Sequence, residues 1–214
     1  MFYRIKKIFW EILWGQKENF QKEIQEILKK HKNKNLRLEK NIYSILWYRN
    51  KTVKRKIKDL KFKKETKNAK FFAIILNETL IELLSEWEKY EDFIKPIIIQ
   101  VPPHWFKKYF IRGYDQNFLI LNELFKINPN LNLQWEPKII KKIKHTKPQS
   151  LIKDKKARRE NIKNVFKIQN LEKIKNRNII IFDDIYTTGA TVSEIEKKLK
   201  KEKVKNIKIL TLAH

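Results

Sequence analysis

The C-terminal part of the chain has the pattern of a parallel crossover unit. Residues 178–182 end in four consecutive apolar residues, which predicts a central parallel strand. Residues 190–201 predict a helix that turns Val192, Ile195 and Leu199 inward, and residues 207–212 predict a second strand. A strand, a loop, a helix and a strand of these lengths suit a right-handed crossover between parallel strands. The fold class predicted is therefore α/β.

Apolar periodicity extends this prediction to most of the chain. Strands are predicted at residues 42–48, 97–101, 139–143 and 165–168, and helices at residues 17–31, 51–62, 68–89, 114–125 and around 155–160. In helix 51–62, Val53, Ile57 and Leu60 share one face. We interpret residues 1–41 as a helical N-terminal extension, which includes a helix near residues 5–13, and residues 42–214 as one domain.

The charge of the chain allows two interpretations. Its 50 Lys and Arg residues exceed its 24 Asp and Glu residues, which gives a net charge of +26. A basic surface binds nucleic acid by neutralising phosphates, so one interpretation is a nucleic-acid-binding protein. The other is compositional bias, because the excess is mainly Lys, is spread along the chain and accompanies abundant Ile and Asn. No arginine-rich stripe or helix-turn-helix pattern favours the first interpretation.

Cysteine content and hydropathy exclude several classes of protein. The chain has no Cys, which excludes disulfides, Cys-based zinc sites, iron–sulfur clusters and thiol catalysis and agrees with a reducing, cytoplasmic location. The sequence contains no run of 18 apolar residues, so no membrane span is predicted.

The junction between strand 178–182 and helix 190–201 carries the functional prediction. Two carboxylates, Asp183 and Asp184, precede a loop with three hydroxyls and a glycine, namely Thr187, Thr188, Gly189, Ala190 and Thr191. A loop that enters a helix N-terminus presents unpaired N–H groups to an anion. The carboxylates cannot also hold that anion, so they should face neutral hydroxyls or a cation. A phosphate on one side and a diol or a metal ion on the other describe a ribose 5-phosphate.

This junction closely resembles the signature with which type I phosphoribosyltransferases bind 5-phosphoribosyl 1-diphosphate (PRPP). The remainder, over about residues 42–214, resembles the ComF family of competence-associated phosphoribosyltransferase-like proteins. The resemblance is carried by Leu60-Lys61-Phe62, Val101-Pro102-Pro103-His104, the segment from Arg112 to Gln116, Thr146 with Gln149, and Arg158 with Asn161 and Phe166. The chain departs from the family pattern at Gln100, Pro103 and Asp115, and it lacks the Cys residues of the family's zinc module.

The resemblance implies a mostly parallel twisted sheet flanked by helices, and it implies roles for the matching residues. Residues 187–191 would hold the 5-phosphate, and Asp183 and Asp184 would bind the ribose hydroxyls. Pro102, Pro103 and His104 would meet the pyrophosphate, with Mg²⁺ carried by PRPP and no direct protein ligand other than the acidic pair. Residues 144–161 would close over the site, with Lys155 and Arg158 as the cations that stabilise the departing pyrophosphate.

Three functions are compatible with these residues. The first is transfer of a phosphoribosyl group, a pentosyltransferase reaction, to an unknown acceptor with release of pyrophosphate. The second is a non-catalytic protein that binds PRPP or a nucleotide and acts in DNA uptake, with single-stranded DNA held on the basic surface of residues 51–64. The third is a chain that has lost both activities.

Several of these residues also have a purely structural interpretation. A pair of Asp residues after a strand also occurs in phosphoacceptor sites, although the Thr-rich loop disfavours that reading. His104 suits a loop histidine bonded to backbone as well as a substrate contact. The cations at residues 155–159 suit a solvated run, and Trp47, Trp87, Trp105 and Trp135 suit packing positions better than base stacking.

Overall fold

The computed structural model describes residues 18–31, 37–63, 65–103, 114–144, 146, 152 and 154–214. The chain divides into two compact units, residues 1–35 and 36–214. In the first unit, helix α1 (Glu18–His31) buries Ile24 and Ile27, as its amphipathic pattern predicts. The helix predicted near residues 5–13 lies outside the described residues, and the boundary predicted after residue 41 stays a prediction.

The second unit contains the remaining helices and strands. In chain order they are β1 (Arg37–Glu39), β2 (Ile42–Leu46), α2 (Lys51–Phe62), α3 (Lys67–Glu91), β3 (Ile97–Gln100), α4 (Gln116–Ile127), β4 (Gln134–Trp135), β5 (Ile140–Lys142), α5 (Lys155–Ile162), β6 (Phe166–Ile168), α6 (Leu171–Ile174), β7 (Ile179–Ile185), α7 (Ala190–Lys201) and β8 (Ile207–Ala213). Every strand and helix predicted within the described residues is present, with bounds that differ by a few residues.

Six strands form one sheet in the order β1-β2-β8-β7-β3-β4. All neighbouring pairs are parallel except β1 with β2. In the middle of the sheet, Ile179 of β7 lies opposite Ile97 on β3 and Ile207 on β8. Strands β5 and β6 form a separate antiparallel pair. The predicted α/β fold with a mostly parallel sheet is confirmed.

Both faces of the central strand are covered. Ile179 and Ile181 of β7 belong to the same buried cluster as Val192, Ile195 and Leu199 of α7. Because successive side chains of a strand alternate between faces, Ile180 and Phe182 point to the other face, and they are also fully buried. A strand that is buried on both faces needs an apolar side chain at every position, which explains why residues 179–182 are all apolar.

Helix α3 is buried more completely than a surface helix would be. One face of the helix is buried, and so are Phe71, Ala73 and Ile74 next to that face; the residues of the face are Phe72, Ile75, Leu76, Leu80, Leu83 and Leu84. The cause is the unbroken apolar run at residues 71–76, which leaves no polar side in this part of the helix. The helix ends at Glu91, and its C-cap residue Asp92 has a left-handed backbone.

The structure corrects one boundary that matters for the site. Strand β7 was expected to end at residue 182, but it continues to Ile185, because Asp183 still pairs with Thr211 and Ile185 with Ala213 of β8. Both carboxylates are therefore strand residues and not loop residues. Strands β1 and β4 and helix α6 were not predicted, because each has at most four residues and no apolar period. Of the helices that the structure describes, none is long and apolar enough to cross a membrane.

Candidate functional site

A cavity of about 380 Å³ lies beyond the carboxyl end of β7. Its walls come from three parts of the second unit: the last turns of α2 with Tyr48 from the turn before that helix, helix α5, and the segment from β7 into α7. The lining residues are Tyr48, Lys58, Lys61, Phe62, Arg158, Asp183, Asp184, Ile185, Tyr186, Thr187, Thr188, Gly189, Ala190, Thr191 and Val192. Ligands of open parallel sheets bind in crevices of this kind, outside the carboxyl ends of the strands.

The loop 186–189 leads into α7 in a way that leaves helix N–H groups available. Gly189 is the N-cap residue, with a left-handed φ of 69°, and among the described residues no side chain caps this helix. The Gly189 carbonyl already accepts the Ser193 N–H at 2.9 Å, so the first turn is helical. The N–H groups of that first turn and the positive end of the helix dipole favour an anion beside Thr187 and Thr188.

Asp184 is buried and engaged by two donors. Its Oδ2 lies 2.5 Å from the Lys61 Nζ and accepts a hydrogen bond from the Gln116 Nε2 at 2.9 Å. The Asp184 residue is 7% exposed. The two partners come from α2 and α4, so this single carboxylate joins two helices to the end of the central strand.

Asp183 is half-buried beside Asp184 and has different partners. Its Oδ1 accepts from the Asn117 Nδ2 at 3.2 Å and from the Asp184 backbone N–H at 2.9 Å. Burial and the negative charge of Asp184 raise the pKa of Asp183 to about 7, against the opposing effects of Asn117 and the Lys61 charge. This carboxyl therefore changes charge near neutral pH.

Helix α4 places its first two residues at the acidic pair because of its N-cap. The Asp115 Oδ1 accepts the Phe118 N–H at 3.1 Å, which starts the helix at Gln116. Gln116 and Asn117 are then buried in the first turn, and the Asn117 Nδ2 also donates to the Val101 carbonyl at 3.0 Å. Asn117 therefore ties the ends of β3 and β7 together.

The acidic pair is already engaged by donors of the protein. The Asp184 Oδ2 is held by the Lys61 ammonium and the Gln116 amide, and the Asp183 Oδ1 accepts from the Asn117 amide and a backbone N–H. Mg²⁺ is bound through carboxylate oxygens together with water and substrate phosphates. Within the described ranges, no group of three or more His, Cys, Asp or Glu residues is placed to hold a metal ion. Direct ligation of Mg²⁺ by Asp184 would therefore have to displace the Lys61 ammonium, which does not fit the residues present.

Helix α2 carries an exposed basic face next to the cavity. This α2 cationic face comprises Lys51, Lys54, Arg55, Lys58 and Lys63. Phe62, which is 61% exposed, lies on the same helix and lines both the site cavity and a shallow cavity over the cationic face. The Lys54 Nζ lies 5.8 Å from the centre of the Tyr48 ring, another lining residue of the site cavity.

Curated proteins with related sequences are competence and DNA utilization proteins. Competence protein F of Haemophilus influenzae is 37% identical over 119 residues, which are 54% of this chain and 49% of that protein. DNA utilization protein YhgH of Escherichia coli O157:H7 is 30% identical over 115 residues, 54% of this chain and 48% of that protein. These matches support a ComF family assignment.

The chain spans about half the length of the curated relatives it matches. No protein-family model matches the sequence. Among solved structures, a hypoxanthine phosphoribosyltransferase of Staphylococcus aureus aligns over 64% of this chain and 61% of its own, with 20% identity and a TM-score of 0.35. The hypoxanthine-guanine enzyme of L. donovani aligns over 69% of this chain and 68% of its own, with 10% identity and a TM-score of 0.43. At these scores the fold assignment rests on the strand order and pairing described above.

The structure brings most of the predicted site residues together. Asp183, Asp184, the loop 187–191 and Arg158 line one cavity. Pro102 and Pro103 follow β3 and are half-buried, but they are not among the residues that line the cavity. His104 lies outside the described residues, and Lys155 lies in α5 with its side chain also outside them.

The partners of the acidic pair were not predicted from the sequence. Lys61 and Gln116 were named only within the short segments that resemble the family pattern, and Asn117 was not named. A signal was available, since Asp115 is a good N-cap and two amides follow it at the start of an apolar helix.

Of the tryptophans predicted to have a packing role, Trp87 is fully buried, and Trp135 stacks on Phe125. Trp47 is 42% exposed, and Trp105 lies outside the described residues.

Proposed function

We propose that the chain is a PRPP-binding, phosphoribosyltransferase-like protein of the ComF family. One observation carries the proposal: a single cavity joins an uncapped helix N-terminus and its Thr-rich loop to two adjacent carboxylates. In this proposal the loop 187–191 binds the 5-phosphate. Asp183 accepts hydrogen bonds from ribose hydroxyls, and Asp184, fixed by Lys61 and Gln116, orients its neighbour.

The transfer reaction would need little covalent chemistry from the protein. The bond between ribose C1 and the pyrophosphate oxygen breaks, and pyrophosphate leaves with the electron pair. A nucleophile of the acceptor, which we expect to be nitrogen, forms the new bond to C1. Positive charge develops on the ribose and negative charge on the leaving group, so Arg158 and Lys58 on the cavity wall would stabilise the departing pyrophosphate. Lys155, from the same helix as Arg158, is a second proposed cation.

Calorimetric titration of PRPP tests the proposal. We expect the wild type to bind PRPP and the Asp183→Asn/Asp184→Asn variant to lose at least about tenfold in affinity, because ribose hydroxyls lose charged acceptors. The control is Glu82→Gln/Glu86→Gln, which removes the same charge from an exposed face of α3. Absence of PRPP binding by a folded wild type would refute the proposal. Wild-type binding would justify a search for acceptors that release pyrophosphate.

A second function is favoured by the α2 cationic face. We propose that this face binds single-stranded DNA, because it combines closely spaced cations with the exposed ring of Phe62. The relatives named for competence and DNA utilization support a role of this kind. Both functions could belong to one chain, because Lys58 and Phe62 line both cavities.

A further inference from the structure

The cation nearest to the acidic pair is part of the protein. The Lys61 Nζ lies 2.5 Å from the Asp184 Oδ2, and the two side chains are only 16% and 10% exposed. An ammonium at this distance forms a charge-assisted contact that water screens weakly, because both groups are largely out of solvent. Asp184 therefore already has the positive charge that a divalent ion would otherwise supply.

The position of Lys61 is fixed by the rest of α2. Val53, Ile57 and Leu60 anchor one face of the helix in the core. The last turn is held at a further point, since the Leu60 carbonyl accepts the Tyr114 hydroxyl. Lys61 thus projects into the cavity from an anchored turn and not from a surface loop.

The charges around the cavity do not require a further cation. Its walls carry Lys58, Lys61 and Arg158 against Asp183 and Asp184, so cations outnumber carboxylates even when both carboxyls are ionised. An anionic ligand such as a sugar phosphate is consequently attracted by the protein's own charges.

We propose that Lys61 is the resident cation of the acidic pair, and that the cavity binds a ribose 5-phosphate group with no divalent ion on Asp183 or Asp184. The inference rests on the proposed function, because it concerns how the same site meets its ligand. It narrows the ligand class to phosphorylated sugars whose recognition is independent of metal. A requirement for Mg²⁺ would then belong to the ligand's pyrophosphate and not to the ribose subsite.

The first test uses ribose 5-phosphate, which has no pyrophosphate to carry a metal. It is titrated calorimetrically into the wild type in excess Mg²⁺ and, separately, in EDTA. We expect the two dissociation constants to agree within about twofold. A loss of affinity of about tenfold or more in EDTA would overturn the proposal.

The second test needs no sugar ligand. Binding of Mn²⁺, measured from the electron paramagnetic resonance signal of the free ion, should reveal no site in the wild type at submillimolar Mn²⁺. Lys61→Met should create a site, because it leaves the Asp184 carboxylate without its ammonium. Lys61→Arg keeps the charge and should create none, and Lys58→Met removes a cation from the same cavity wall and should also create none. Circular dichroism checks that each variant is folded.

The outcomes separate this inference from the proposed function. If neither PRPP nor ribose 5-phosphate binds under any condition, the proposed function is refuted, and the proposal of a ribose 5-phosphate site without a divalent ion falls with it. If both ligands bind but the wild type also takes up Mn²⁺ stoichiometrically, the role of Lys61 is refuted and the proposed function survives. Should Lys61→Met fail to fold, the two wild-type measurements still decide.

Discussion

The ring of Tyr186 lies so close to Gly189 that a β-carbon on Gly189 would be 2.5 Å from the phenol oxygen and 2.9 Å from Cζ. Gly189 also has a φ of 69°, in the region that L-residues with a side chain rarely adopt. Two independent constraints therefore require glycine at the position where the loop enters α7. The ring of Tyr186 in turn packs against the buried cluster that contains Val192 and Ile195.

Gly189→Ala should destabilise the protein and weaken phosphate binding. The left-handed backbone costs about 1 kcal/mol or more with a β-carbon, and the contact with Tyr186 adds a further ~1–3 kcal/mol of overpacking. Urea denaturation should accordingly show a free energy of unfolding lower by at least about 2 kcal/mol.

A second variant separates the two causes. In Tyr186→Ala/Gly189→Ala the ring is absent, so only the backbone cost should remain beyond the effect of Tyr186→Ala alone. A single Gly189→Ala variant that is as stable as the wild type would contradict the geometry of this loop.

The contribution of Asp183 to the stability of the protein should fall as the pH rises from about 4 to 7. The Asp183 carboxyl has its ordinary pKa of 3.8 in the unfolded chain and a pKa of about 7 in the folded one, raised by burial and by Asp184. Between these values the folded state binds more protons, so raising the pH favours unfolding. Each unit of pKa difference between the folded and unfolded states changes the free energy of unfolding by about 1.4 kcal/mol. Because Asp183 is partly exposed, we expect solvent screening to reduce the total change to about 1–2 kcal/mol.

Asp183→Asn tests this pH dependence. The amide has nearly the same size and does not titrate, so the variant should be more stable than the wild type at pH 8, and the difference should shrink towards pH 4. Chemical denaturation at several pH values measures it. Glu82→Gln, on the exposed face of α3, should leave the wild-type profile unchanged. A profile of Asp183→Asn parallel to that of the wild type would show that Asp183 titrates in its ordinary range.

Asn117→Ala should raise the pKa of Asp183 further and lower the stability. The Asn117 Nδ2 is the donor that favours the ionised form of Asp183, and its loss also leaves the Val101 carbonyl without that hydrogen bond. The expected cost is about 1–3 kcal/mol for a buried amide contact. Carboxyl-carbon NMR would follow the titration of Asp183.

Asn128→Ala provides the matched control for this change. The Asn128 Nδ2 donates to the Asn77 Oδ1 at 2.9 Å at the other end of the same helix, far from the acidic pair in sequence. Its loss should lower the stability while leaving the Asp183 titration unchanged. An unaltered titration in Asn117→Ala would contradict the role assigned to Asn117.

The elements that could be predicted from the sequence are those with local signals. Helix α2 has the N-cap Asn50 and an apolar period of Val53, Ile57 and Leu60, and the structure reproduces its predicted bounds. The Thr-rich loop before α7 could be recognised because Gly189 and its neighbouring hydroxyls are contiguous in sequence.

The state of the acidic pair could not be predicted in the same way. Lys61 and Asp184 are far apart in sequence, and their contact depends on how α2 and β7 meet in the folded unit. The extension of β7 through Asp183 was equally hidden, because Asp disfavours strands and only pairing with Thr211 of β8 keeps it there. Long-range contacts of this kind override local propensity.

Charge reversal on the α2 cationic face should abolish binding of single-stranded DNA and leave PRPP binding intact. The triple variant Lys51→Glu/Lys54→Glu/Arg55→Glu avoids the cavity residue Lys58 and changes the net charge from +26 to +20. If these cations contact phosphates, the variant should lose most of its affinity at low salt and also show a smaller salt dependence than the wild type. The control Lys197→Glu/Lys200→Glu/Lys201→Glu on α7 produces the same net charge. Fluorescence anisotropy with an oligonucleotide compares the DNA affinities of the two variants. An equal loss of affinity in both would mean that DNA responds only to the net charge of the protein and not to the α2 cationic face.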